Sequence, residues 1–92
     1  MFTTPTHITF TEDPVNQRTI IELIAGDRPG LLSQVAKVFM NSHIDIHTSK
    51  IMTVGERAED VFFVADEAGR PLSGEARAQL AQRLTESLDR RA

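Results

Sequence analysis

Cysteine is absent from the 92 residues, and so are tryptophan and tyrosine. Without cysteine there is no disulfide framework, no thiolate metal site and no thiol nucleophile, and the redox compartment is left open. With five phenylalanines as the only aromatics, the core has to be built largely from aliphatic side chains. An excess of positive charge is also missing. Ten Lys and Arg against thirteen Asp and Glu leave a net charge of -3, which argues against a nucleic-acid partner, because binding the phosphate backbone needs a basic face. No apolar run approaches the roughly 20 residues of a membrane-crossing helix. The first ten residues, MFTTPTHITF, carry neither the basic nor the apolar region of a leader peptide. A cytoplasmic location with no membrane partner is expected.

What remains is the composition of one modest globular domain, 40% apolar and a quarter charged. Met1 to Thr6 reads as a tail and residues 7–92 as a single domain. His7 to Thr11 alternates, placing Ile8 and Phe10 on one face of a half-buried strand. Arg18 to Ala25 (RTIIELIA) is apolar on both faces, the mark of a central strand. A helix from about Gly30 carries Leu32, Val35, Ala36 and Phe39 at helical spacing, widened by Leu31 and Val38. It should end near Asn41-Ser42-His43, with Asn41 able to take the left-handed cap conformation. Ile44 to Val54 is a third strand whose apolar phase shifts at Ile51, so a bulge is expected near Ser49-Lys50. After the Gly55-Glu56 turn, Arg57 to Asp66 forms a fourth strand with the apolar centre VFFVA. Ser73 then caps a last helix in which Ala76, Leu80, Leu84 and Leu88 recur every four residues, with Arg90 and Arg91 suited to its C-terminal end. The order β-β-α-β-β-α predicts an α+β fold: a four-stranded antiparallel sheet with two helices on one face. The first strand should pair antiparallel with the Arg18 strand.

The stretch Ala25 to Phe39 (AGDRPGLLSQVAKVF) organises the chain. An apolar strand runs into Asp27, turns at Arg28-Pro29-Gly30 and becomes an apolar-faced helix. Pro29 suits a helix start, Asp27 can act as N-cap, and Gly30 lets other groups approach the backbone. Exposed N–H groups at such a corner can hold a carboxylate. Asp, Pro and Gly also serve simply to turn a chain, and both readings stand on these residues alone.

The segment from Arg18 to about Leu88 resembles the ACT domain, a small regulatory module that binds amino acids. The resemblance is carried by the strand ending in Asp27-Arg28-Pro29-Gly30-Leu31-Leu32, the amphipathic helix, and Ile44-Asp45-Ile46 opening the next strand. The phrases IELIAGDRPGLL, IDIHTSKIMTVGERAEDVFFV and QRLTESL are similar to the C-terminal ACT domains of bacterial PII-protein uridylyltransferase/uridylyl-removing enzymes. That resemblance implies a ferredoxin-like fold, permuted here: the usual order βαββαβ ends on a strand, and the His7 strand takes that slot instead. It further implies a C-terminal piece of a nucleotidyltransferase/hydrolase that senses an amino acid, glutamine being favoured, in the control of nitrogen metabolism. Its partners would be a second ACT domain or a second copy of this chain, together with the catalytic domains of the parent chain.

Carried over by position, the ligand site comprises Asp27, Arg28, Pro29, Gly30, Leu31 and Asp45. In physical terms, the Gly30 and Leu31 amides can take an amino acid's carboxylate, and Asp27 or Asp45 its ammonium. Family sites often have Asn at the two acidic positions. The plainer alternative makes Asp27 an N-cap, Asp45 a solvated strand end and the whole chain a pairing domain with no ligand of its own.

Other chemistries fit less well. His43 and His47 sit about 13 Å apart on a strand, and Asp45 with His47 supplies two ligands where a metal site needs a third, so no metal is expected. The acidic pairs Glu59-Asp60 and Asp66-Glu67 read as solvated strand or hairpin ends. Arg28 and Asn41 supply acylphosphatase residue types without that family's loop pattern. RNA binding on the sheet would rest on Phe62 and Phe63 alone in an acidic chain. No serine elbow or phosphate loop is present, so no catalytic residue and no cofactor are expected in this chain.

Overall fold

The computed structural model describes residues 4–89; residues 1–3 of the expected tail and the expected terminal cations Arg90 and Arg91 lie outside them. Strands β1 (His7–Asp13) and β2 (Arg18–Gly26) precede helix α1 (Leu31–Asn41). Strands β3 (Asp45–Val54) and β4 (Arg57–Ala65) and helix α2 (Gly74–Asp89) follow. The sheet order is β1-β2-β4-β3, and every neighbouring pair is antiparallel. The two strands that are apolar on both faces are thus the central ones. β1 lies beside β2 in the slot expected for it, with Ile8 opposite Leu23 and Phe10 opposite Ile21.

Period-2 alternation decides which face of the sheet is buried. Ile21, Leu23 and Ala25 of β2 and Ala58, Phe62 and Val64 of β4 point to the helix side and are buried. Against them α1 sets Leu31, Val35 and Phe39, and α2 sets Leu80, Leu84 and Leu88. Phe39 meets Phe62 edge-on, with ring centroids 5.1 Å apart. The buried stripe of α1 runs through Leu31 rather than Leu32 and Ala36, which are exposed. The helix starts one residue later than expected, and its buried side follows the i, i+4, i+8 row from Leu31. The opposite sheet face carries Ile20, Ile24, Val61 and Phe63, only half-buried, because both helices lie on the other side. Phe63 is therefore the one sheet aromatic of the expected pair facing outward; Phe62 is core.

Several local details differ from the sequence expectations. The left-handed residue ending α1 is His43 (φ 58), not Asn41. His43 and Ile44 donate to the Met40 and Phe39 carbonyls at 3.2 and 3.0 Å, a Schellman motif in which Ile44 also packs against the core. The β3 irregularity falls between Ile46 and Thr48, at His47, two residues earlier than expected. α2 starts as anticipated: Ser73 Oγ accepts the Ala76 N–H at 3.1 Å. Thr19, fully buried, accepts the Leu72 N–H at 2.9 Å and so fastens the segment before α2 to the sheet. At the β1 edge, Arg77 pairs with Glu12 and lies over the Phe10 ring, tying β1 to α2.

Candidate functional site

The corner between β2 and α1 is a turn held by two neighbours. Asp27 donates its N–H to the Glu56 carbonyl at 2.9 Å, tying the corner to the β3–β4 hairpin turn. Leu31 then donates to the Arg28 carbonyl at 3.2 Å, closing the four-residue turn Arg28-Pro29-Gly30-Leu31. Gly30 has φ 81 and ψ 0, which makes this a type II turn with Pro at its first central position and Gly at its second. Gly30, not Asp27, is the N-cap of α1, and no side chain caps the helix. The left-handed Gly30 turns the chain directly into the helix and leaves Asp27 three residues short of it. Since the Leu31 amide is engaged by Arg28, the donors offered at the helix start are those of Leu32 and Ser33, the next orphan amides.

Below this turn lies a cavity of about 190 Å³, lined by Asp27, Arg28 and the Gly30–Ser33 start of α1. Its other wall is the inner face of the β3–β4 hairpin: Ile51, Thr53, Ala58 and Asp60. It is smaller than the roughly 300–1,000 Å³ of drug-sized pockets, a scale that suits a molecule the size of an amino acid. Asp60 is 2% exposed. Among the described residues, its Oδ1 has no hydrogen-bond partner and no ion pair includes it. Burial pushes its carboxyl above the ordinary value of 3.8; the Met52 backbone pulls it back somewhat, and the Asp27 charge adds a further upward push.

Arg28 reaches away from the turn toward α2. Its guanidinium donates to the Leu88 carbonyl at 3.0 Å and to Gln34 Oε1 at 2.7 Å. Gln34 in turn donates to the Ser87 hydroxyl at 3.0 Å. A cation on the last carbonyls of a helix satisfies orphan acceptors and complements the helix dipole. The corner and the end of α2 are therefore mechanically joined.

A family model described as the ACT domain matches residues 19–82. The chain belongs to the ACT domain family. It is 56% identical over 86 residues to a bifunctional uridylyltransferase/uridylyl-removing enzyme of Methylococcus capsulatus, covering 92% of this chain and 10% of that protein. Proteins of the same description from Xanthomonas euvesicatoria and Vibrio campbellii are 48% identical over 82 residues and 41% identical over 87. Those matches cover 89% and 95% of this chain, and 9% and 10% of those proteins. The chain spans about a tenth of the length of the curated relatives it matches.

Of the site residues expected for this ACT domain, the structure gathers Asp27, Arg28, Gly30 and Leu31 around one cavity, with Pro29 shaping the turn above it. Asp45 is elsewhere. It pairs with Ala65 at the start of β3, whereas Thr53, beside the cavity, pairs with Ala58 at the other end. Seven residues of strand lie between them, a span of about 26 Å at the usual rise per residue. α1 carries the chain back along the sheet before β3 begins, so a single copy cannot place Asp45 over the corner. Asp60 is the residue the sequence reading missed, having taken Glu59-Asp60 as a solvated end. Glu59 does reach outward, pairing with Arg57 at 2.6 Å. The signal for Asp60 was in the alternation: Ala58, Asp60, Phe62 and Val64 are in phase, and three of the four are core residues.

Proposed function

We propose that this ACT domain is a regulatory amino-acid-binding module, with glutamine as the favoured ligand, serving a bifunctional PII-protein uridylyltransferase/uridylyl-removing enzyme in the control of nitrogen metabolism. The observation that carries this reading is the cavity itself, which is lined by both an uncapped helix start and a carboxylate. The Leu32 and Ser33 amides suit the ligand's α-carboxylate, and Asp27 suits its ammonium. A second carboxylate on the ligand would meet Asp27 and Asp60, which disfavours glutamate against glutamine. The bifunctional uridylyltransferase/uridylyl-removing enzymes that this chain is similar to supply the enzyme context, and the Arg28–Leu88 contact offers a path from the corner to the end of α2.

Pairing belongs to the same proposal. Among the described residues, β3 is bonded on one side only, and all ten of its residues are exposed. Ile46, Ile51, Met52 and Val54 are between 42 and 55% exposed, an apolar free edge of the kind that recruits another strand. Two copies joined antiparallel along this edge would bring Asp45 of the partner subunit toward the corner that its own chain cannot reach. A site half-built in each copy implies weak binding by the isolated domain, in the micromolar-to-millimolar range of about 8 to 4 kcal/mol.

The test is an amide chemical-shift titration with glutamine, with glutamate as control, on the wild type and on Met52→Lys, alongside sedimentation of both. The proposal expects a wild-type dimer, shifts at Asp27 to Ser33 and at Asp45 with glutamine, and a monomeric variant that binds more weakly. A strict wild-type monomer removes the pairing half. A dimer whose corner amides ignore glutamine at tens of millimolar leaves a pairing domain without a ligand.

A further inference from the structure

We infer that Asp60, which lines the corner cavity, accepts the ammonium group of the bound amino acid. This rests on the corner being a ligand site, as proposed above, and adds the residue that would select a zwitterion over a simple carboxylate.

Three features of Asp60 and its surroundings converge. Asp60 sits in the middle of a central strand, opposite Leu23 on one side and Ile51 on the other. A carboxylate there is removed from water on the apolar side of the sheet, where an isolated charge is costly unless something compensates it. No group among the described residues does so at Oδ1. The nearby cation, Arg28, is committed to Leu88 and Gln34, and Arg57 is held by Glu59 on the outer face. Finally, the cavity that Asp60 lines is also lined by the Gly30–Ser33 start of α1, so donors for an anion and an acceptor for a cation border one small volume. The two kinds of group match the two charges of a free amino acid. Asp27, which lines the same cavity, is exposed, and water screens what it can contribute. Asp60 is buried and not screened in that way, so the stronger ammonium contact is with Asp60.

The contact has a proton consequence. Burial holds the proton on Asp60 to higher pH than an ordinary carboxyl. An arriving ammonium favours the ionised form, so at pH below the free-state value binding sends the Asp60 proton to solvent. Affinity should therefore rise with pH until that value is passed and then level off. The other charged groups around the cavity are Asp27 and Arg28 of the corner and Glu56 of the hairpin turn. The β2, β3 and α1 residues packed against Asp60 on this face (Leu23, Ile51 and Leu31) do not titrate.

The experiment compares glutamine with 4-carbamoylbutanoate, which is glutamine without its amino group, on the 92-residue chain and on Asp60→Asn. Amide shifts give affinities from pH 4 to 8, and the side-chain carboxyl carbon of Asp60 is followed in the labelled wild type. The expected result is that Asp60→Asn weakens glutamine by about tenfold or more, leaves carbamoylbutanoate unchanged and flattens the pH profile. The Asp60 carboxyl carbon should also move toward its ionised position on adding glutamine below its free-state value. Corner amides that respond to glutamine while that carbon stays still overturn the assignment and leave the corner site standing, whether or not the variant folds. Equal affinity of wild type and Asp60→Asn does the same. Corner amides that never respond overturn both.

Discussion

Replacing Gly30 by alanine tests the turn on which the cavity depends. The φ of 81 at this position lies in the left-handed region, where a Cβ crowds the following carbonyl at a cost of about 1–2 kcal/mol. A Cβ built there meets nothing within 4 Å, so no clash adds to this and the loss is purely a backbone effect. Alanine also narrows the unfolded ensemble, which offsets about 0.4–1 kcal/mol. The net destabilisation is then about 1 kcal/mol, or roughly 4–8 °C in Tm for a domain of this size. Asparagine, which tolerates the left-handed region, should cost less than alanine, and valine, β-branched, should cost more. Urea unfolding followed by circular dichroism would give the order, with an unchanged m-value showing that only stability moved. If alanine and valine match or exceed glycine, Gly30 does not hold a positive φ in solution, and the account of the type II turn and of the helix start fails with it.

Stability should also depend on pH through Asp60. Its folded-state pKa lies above the ordinary 3.8, so the native state holds this proton more tightly than the unfolded chain does. The associated stability is present below about pH 4 and is lost as pH climbs through the raised value. Urea midpoints of wild type minus Asp60→Asn, plotted against pH, should fall across that window; a rising difference contradicts the burial argument. Thr19→Val keeps the shape of a fully buried side chain but leaves the Leu72 N–H without its acceptor. It should cost about 1–3 kcal/mol and speed hydrogen exchange at Leu72, whereas Thr19→Ser keeps the bond and should preserve the slow exchange.

Much of the architecture could be read from local pattern because burial on a sheet follows a strict two-residue period. RTIIELIA and VFFVA, apolar at consecutive positions, are the two central strands, and the 76-80-84-88 spacing is the core-facing row of α2. The pairing of β1 with β2 was legible because a short polar link between two strands leaves antiparallel neighbours as the simplest arrangement. Local conformation was less legible. Which of Asn41, Ser42 and His43 takes the left-handed cap is set by how the chain must leave α1 for Ile44 to reach the core, not by residue preference alone. The same holds for Asp27. Its chemistry permits capping, but the type II turn at Pro29-Gly30 spaces it away from the helix.

By itself, then, the sequence determined the order of elements, the choice of central strands and the core-facing row of α2, all features governed by neighbours a few positions apart. Only the tertiary structure decided that Asp45 stands about 26 Å along β3 from Thr53 and the corner, because α1 runs back across the sheet before β3 begins. It alone also decided that Asp60, in an acidic pair that reads as surface, is buried and shares a cavity with the start of α1, its Oδ1 without a partner among the described residues. Whether a carboxylate is solvated or buried depends on what surrounds it, and around Asp60 that includes α1 residues far from it in the chain.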